Sequence, residues 1–332
     1  MGPAEELENY NSNPFSFEAV SFPLSLPLPS EPHIPFWSRY AAESMQKGVV
    51  NVLREKFPQF MFPVKQGISR TDEYRQAVRR GNVPCPDKQD PLCFIDPGKI
   101  TLHIHHSPAG DVPVITARNR HDFVTLVRAL RGKNEPVDVP DSMGACMIAG
   151  YNNWDRIRAY RKQWEKNRSN SSESEWRKEF RELAARKHEY QDRFIILSDG
   201  PYSSVRPKAL GLSSERWRQY SLKTRLAHEC AHLLTKRVFG FMRNNLLDEI
   251  MADYAGIVEA IGQFRAEWFL HFMGLADFPA YRAGGRLENY RGNPPLSDTA
   301  FLLLQEQVYR AAHHVEIFDR CRVCRNPRNM KS

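Results

Sequence analysis

A chain of 332 residues with 41% apolar side chains can bury a sizeable core, as one large domain or two intimate lobes. No apolar run approaches the roughly 20 residues that cross a bilayer, which excludes a membrane-spanning helix, and no membrane partner is expected. Lys and Arg outnumber Asp and Glu by 47 to 39, a formal charge of +8 that makes an acidic partner such as nucleic acid one class to weigh.

The first stretch, 1–36, is rich in Pro, Ser and Phe without periodicity and reads as an extended arm, laid on the body or partly disordered. It carries Glu5, Glu6 and Glu8 and no basic segment before an apolar signal core, so a cytoplasmic location is expected. A helix is predicted from Ser38 to Lys56, stopped by Pro58, and a short one from Thr71 to Arg80, ended by Gly81. The Pro- and Cys-containing stretch 82–98 reads as a loop. Ile100 to His106 alternates, with Ile100, Leu102 and Ile104 on one face and His103 and His105 on the other. A turn at 107–111 and a returning strand from Val112 to Thr116 make a hairpin. The histidines could bind a metal, but alternation on a half-exposed strand explains them as well and is the preferred reading. Asn119 to Gly132 is an amphipathic helix, and Ala145 to Ala149 a short apolar strand.

The basic residues concentrate between Arg156 and Lys187, within a helical pair over 152–192 that is interrupted at 167–174. Ile157, Tyr160 and Trp164 follow helical spacing, as do Trp176, Phe180, Leu183 and Tyr190. Those aromatics therefore face a core and leave Lys and Arg on a solvated side. Phe194 to Leu197 is a further strand, with the edge of a cleft and the centre of a sheet as alternative places for Phe194 to Ser198.

A long helix is then predicted from Ser213 or Ser214 to Gly240, and it contains His228-Glu-Cys-Ala-His232. Histidines four apart stand about 40° from each other on one helical face, one turn apart, so both imidazoles can reach a single ion. Leu222, Leu226, Cys230 and Leu233 form the apolar face behind them. In this HExxH pattern the imidazoles bind zinc and the adjacent Glu229 serves as general base toward a water at the metal. A second helix is predicted from about Asn245 to Gly262, with Glu249 and Asp253 again on one face. Sixteen residues separate His232 from Glu249, enough for the chain to return antiparallel. Glu249 can then be the third protein ligand, and Asp253 can accept the free N–H of a ligating histidine. Ala252 and Gly256 are small enough to let the two helices approach closely. Helices near 263–273 and 297–312 follow, joined by a Gly- and Pro-rich loop containing Arg286 to Arg291.

HExxH followed by a downstream Glu-x-x-x-Asp helix resembles the gluzincin branch of the zincin metallopeptidases, the thermolysin-like arrangement. The resemblance covers about thirty residues. It implies zinc ligands His228, His232 and Glu249, base Glu229 and supporting Asp253. The metzincin pattern fails, because Thr235 and Val238 stand where it needs Gly and a third His. Segments 142–145, 152–156 and 199–202 are similar to those of uncharacterised bacterial proteins with the same zinc motif.

The expected fold is α+β and zincin-like, a small mixed sheet with helical insertions followed by a mostly helical half carrying the metal site. The expected divisions are the arm 1–36, an α+β lobe 37–198, a helical zinc-binding lobe 199–320 and a basic CxxC tail 321–332. The expected activity is that of a soluble hydrolase with one Zn2+ per chain, cutting a peptide or amide substrate. Tyr202, Arg286, Tyr290 and Arg291 lie in loops that can supply a second electrophile for the developing oxyanion. Two other readings stay open: a basic nucleic-acid-binding protein with a structural metal site, and a zincin fold serving as an interaction module. Six cysteines, at 85, 93, 146, 230, 321 and 324, suit reduced thiols better than a disulfide framework. Cys321 and Cys324 can join Cys85 and Cys93 in a second, structural zinc site.

Overall fold

The computed structural model describes the chain except residues 1, 13–14, 16–17, 19, 21–22, 83–90, 169–170, 241–245 and 326–332, and the side chains of 322–325. It divides into two compact units. One comprises residues 1–25, 141–144 and 200–332, and the other 26–140 and 145–199. The expected boundary after 198 lies beside the observed one, but the first residues and the short segment 141–144 go with the C-terminal half. The arm is not extended throughout: α1 (Pro3–Tyr10) is a helix with Pro at its first turn, Glu5 and Glu6 near its N-terminus, and Leu7 buried.

In the unit 26–199, the helix expected over 38–56 is two helices, α2 (Ile34–Lys47) and α3 (Val49–Lys56). Gly48 sits between them at φ 79°, a left-handed backbone that breaks the helical hydrogen-bond ladder. α4 (Asp72–Arg80) is capped by the Thr71 hydroxyl, which accepts from the Tyr74 N–H, and ends at left-handed Gly81. The hairpin forms as β1 (Thr101–Ser107) and β2 (Gly110–Ala117). α5 (Arg120–Leu130) follows from an Asn119 cap, and then β3 (Ala145–Asn152). α6 (Trp154–Lys166) and α7 (Glu173–Ala185) form the helical pair before β4 (Gln191–Ser198).

The strand order is β1-β2-β4-β3, with β4 parallel to β2 and antiparallel to β3. Phe194 to Ser198 is therefore in a central strand, not a cleft edge. Its continuous run Phe-Ile-Ile-Leu, at most 1% exposed, is buried on both faces as a central strand requires. Trp37, Phe57, Tyr151 and Phe194 pack against one another, with Trp37–Phe194 tilted and Phe57–Tyr151 edge-to-face at centroid distances of 4.7 and 4.6 Å. The fold is thus mixed α and β, with one four-stranded sheet among the described residues and helix predominating.

A polar knot lies inside this unit. The buried Asp192 carboxylate accepts from Trp37 Nε1 (2.8 Å), Asn153 Nδ2 (2.6 Å) and Arg156 (2.8 Å). Removing the carboxylate leaves the buried Arg156 guanidinium without its counter-charge, so Asp192→Ala should cost about 3–5 kcal/mol of unfolding free energy in a urea titration.

The helical pair also bears on the charge question. Trp154, Ile157, Trp164, Trp176 and Leu183 form its own small core, as their spacing predicts. Many of the cations outside it are paired: Arg161 with Glu165 and Glu173, Arg168 and Arg186 with Glu179, Arg158 with Asp155. Binding to random duplex or single strands is accordingly expected to be weak and to vanish at moderate salt. Tight binding that survives such salt, measured by fluorescence anisotropy, would favour a nucleic-acid role.

In the other unit, α8 (Ser214–Phe239) starts at the Ser213 cap and stops at left-handed Gly240, the predicted limits. α9 (Leu246–Ile261) and α10 (Ala266–Met273) follow. α11 (Asp298–Arg325) runs well past residue 312, so Cys321 to Arg325 continue a helix and do not start a tail. Trp217, Trp268, Phe269, Phe272 and Leu287 fill the core that these helices share. No described helix is long and apolar enough to cross a membrane.

Candidate metal centre

α8 and α9 are drawn together by a missing side chain. A Cβ on Gly256 would stand 2.6 Å from the Thr224 carbonyl oxygen, so only glycine permits this approach. Ala252, fully buried one turn away, continues the small-residue seam, as its size predicts. Contacts then run in opposite order along the two helices, Thr224 to Gly256, His228 to Asp253 and His232 to Asp248, so the pair is antiparallel.

This packing brings His228, His232 and Glu249 to one point, all buried, with donor atoms within 4.8 Å of one another. The imidazole Nε2 atoms are 3.0 Å apart, and the Glu249 oxygens lie 3.5 Å from His228 Nε2 and 3.4 Å from His232 Nε2. Tetrahedral zinc with bonds near 2.0–2.1 Å places its ligand atoms about 3.3 Å apart, so the three donors fit such an ion. Glu249 Oε2 is buried with no hydrogen-bond partner among the described residues, an orphan that a cation would satisfy. No other such group of His, Cys, Asp or Glu occurs among the described residues. His103 and His105 are not part of one, and His106 pairs with Asp111. Cys93 and Cys321 are exposed thiols outside any such group, while Cys85 and the Cys324 side chain lie outside the described residues.

Both imidazoles are held from behind. His228 Nδ1 is 2.9 Å from Asp253 Oδ1, the predicted contact, and His232 Nδ1 is 2.9 Å from Asp248 Oδ2. Asp248 was not foreseen. It directly precedes Glu249, while Asp253 follows one turn later, and the acids on the two sides of Glu249 serve one histidine each. A carboxylate at Nδ1 fixes that nitrogen as the donor, so that each ring, when neutral, presents its Nε2 lone pair to the shared point.

Burial disfavours the His232 imidazolium, but Asp248 and Glu249 outweigh it and raise its pKa to about 10. Burial alone would raise the Glu249 carboxyl; the hydrogen bond from His232 and the charges of His228 and Arg286 instead hold it well below the usual range. Asp253, buried and facing Arg286, is likewise lowered. Glu229, half-buried beside His228, stands outside the three-donor group, and its charge adds to the field on His232.

The four loop residues separate. Tyr202 is buried with its hydroxyl 2.9 Å from His228 Nδ1, behind the ring and away from the Nε2 atoms, and it donates to Asp253 at 2.6 Å. This position supports the imidazole and does not suit an oxyanion electrophile. Arg286 donates to Tyr202 at 2.7 Å, is ion-paired with Asp253 and stands 4.0 Å from Glu249. Tyr290 lies against Glu249, and burial raises its hydroxyl pKa. Arg291 is engaged by Glu288, Asp298 and the Leu296 carbonyl, and stacks on Phe301. The first helix adds a residue that its reading as an arm concealed. Tyr10 donates to the Tyr290 carbonyl at 2.6 Å, and burial together with the Glu249 charge, against a hydrogen bond to Leu246, pushes its pKa up to about 12.

A family model matches residues 2–331, so the chain belongs to DUF7005, a family of unknown function. No curated protein and no solved structure matches it.

If this donor set is used in solution, purified protein should carry one zinc per chain by elemental analysis. His228→Ala and Glu249→Ala should lose most of it, and Asp248→Ala should weaken affinity by roughly 10–100-fold. Full zinc retained in both ligand variants would put the ion elsewhere.

Proposed function

We propose that this protein is a zinc-dependent hydrolase of zincin-like design that cleaves a peptide or amide bond. One observation carries the reading: two helical histidines and a glutamate converge through Nε2 and carboxylate oxygens, while a fourth group, Glu229, stays half-buried beside them. A structural zinc site is closed by four protein ligands, whereas three ligands with a neighbouring carboxylate is the donor set of a catalytic one.

His228, His232 and Glu249 would hold the ion. Bound there, zinc supplies Lewis acidity, polarising a carbonyl and lowering the pKa of a water molecule. The chain's own residues do the rest. Glu229 takes a proton from the attacking water on its carboxylate and passes it to the leaving nitrogen. Asp248 and Asp253 keep both imidazoles in the tautomer that presents Nε2. Of the four loop residues, Tyr202 and Arg286 are bound together behind His228 and Arg291 is engaged elsewhere, which leaves Tyr290, beside Glu249, as the candidate to meet developing negative charge.

Glu229→Gln keeps the shape of the side chain and removes its basicity. Zinc content should be unchanged, and turnover of a mixed peptide library should fall by about 100-fold or more at matched zinc. Equal activity of the two proteins removes Glu229 from the mechanism. Failure of the wild type to cut any peptide moves the substrate to a non-peptide amide, or the protein to a binding role.

A further inference from the structure

Behind His228 lies a buried assembly that the zinc motif does not include. Arg286 is far from the motif in sequence and its side chain is 12% exposed, yet it is ion-paired with Asp253 and donates to the Tyr202 hydroxyl. The Tyr202 hydroxyl in turn contacts both Asp253 Oδ1 and His228 Nδ1. A second Arg286 contact reaches Ser203 Oγ at 3.2 Å, and Ser203 and Ser204 both hold left-handed backbone, at φ 49° and 56°. Non-glycine residues adopt that conformation only where the surroundings impose it.

The loop that carries Arg286 is itself fixed. Gly285 lies against the end of α10 so closely that a Cβ there would stand 2.6 Å from the Met273 carbonyl oxygen and 2.8 Å from Gly274 Cα. The Tyr281 hydroxyl donates to the Gly285 carbonyl at 2.9 Å and accepts from the Glu288 N–H at 3.2 Å, and Leu287 is fully buried. These contacts leave Arg286 little freedom. Its planar fork reaches the carboxylate and the phenol together, which a lysine ammonium cannot reproduce.

We propose that Arg286 and Tyr202 are positioning residues for the metal, a clamp that locks Asp253 and thereby the orientation of the His228 ring. The inference rests on the zinc reading above. Asp253 placed against His228 without Arg286 would be a buried carboxylate free to rotate between partners. With Arg286 on Oδ2 and Tyr202 on Oδ1, the carboxylate has one orientation, and its Oδ1 faces His228. The clamp also sets the charge behind the ring, because the guanidinium offsets one of three carboxylates, Asp248, Glu249 and Asp253, packed around two imidazoles.

The test measures metal binding, not activity. Full-length wild type, Tyr202→Phe, Arg286→Gln and Arg286→Lys are titrated with zinc against a competing chelator, and their cobalt(II) forms compared by visible absorption. Zinc affinity should fall by about 10-fold in Tyr202→Phe and by up to about 100-fold in Arg286→Gln, the range for groups that support ligands. Arg286→Lys should recover part of the loss, and the cobalt bands should shift in the variants, which a change in overall stability alone would not produce. If Arg286→Gln does not fold, Tyr202→Phe decides, since it removes one hydroxyl and leaves the ion pair. Unchanged affinity and cobalt bands in Tyr202→Phe and any folded Arg286 variant overturn the clamp while leaving the zinc site standing. A wild type that binds no zinc overturns both.

Discussion

The close contact of two helices at Gly256 and Thr224 is the constraint on which the candidate site depends. It sets how near α9 lies to α8, and three polar pairings follow from it within two turns of helix. Asp253 meets His228, Glu249 meets both imidazoles, and Asp248 meets His232. A Cβ at 256 would stand 2.6 Å from the Thr224 carbonyl oxygen, so a side chain there would force the backbones to shift at the seam that sets those pairings. The small-residue seam thus acts on the chemistry through distance alone.

Such a centre works against stability. Asp248, Glu249 and Asp253 are nearly solvent-free, and moving ions out of water costs several kcal/mol each even after relaxation. Arg286 and the imidazoles offset part of that cost through hydrogen bonds and charge, and the orphaned Glu249 oxygen shows where the offset is incomplete. Buried, strongly perturbed groups of this kind cluster at functional sites, because packing by itself would favour apolar residues there. The knot around Asp192 in the other unit differs. Its carboxylate has three donors around it, and it ties α2, α6 and β4 together without an unfilled valence pointing anywhere.

Aromatic residues divide between the two kinds of work in the same way. Trp154, Trp164 and Trp176 build a local core under a surface rich in ion pairs, where exposed pairs contribute little individually. The tyrosines near the candidate site, Tyr10, Tyr202 and Tyr290, place hydroxyls among charges, each with its pKa driven upward by burial. A buried phenol that stays protonated remains a donor, which suits it to hold a carboxylate in place.

The sequence alone determined what is local. Capping at Ser213 and Gly240 bounded the zinc-motif helix, four-residue spacing put His228 with His232 and Glu249 with Asp253, and alternation gave the hairpin. Each of these depends on interactions within a few residues of one another. Tertiary structure decided the rest. Whether Phe194 to Ser198 edges the sheet or crosses its centre depends on which strands pair with it, and β2 and β3 lie far away along the chain. Gly48 looked compatible with one long helix until its left-handed backbone divided it. Arg286, Tyr202 and Tyr10 came to the candidate site from three separate segments, through loop packing that no periodicity encodes. Asp248 shows the limit most plainly. It adjoins Glu249, but its role follows from the angle at which two helices cross, and side-chain spacing along one helix carries no information about that angle.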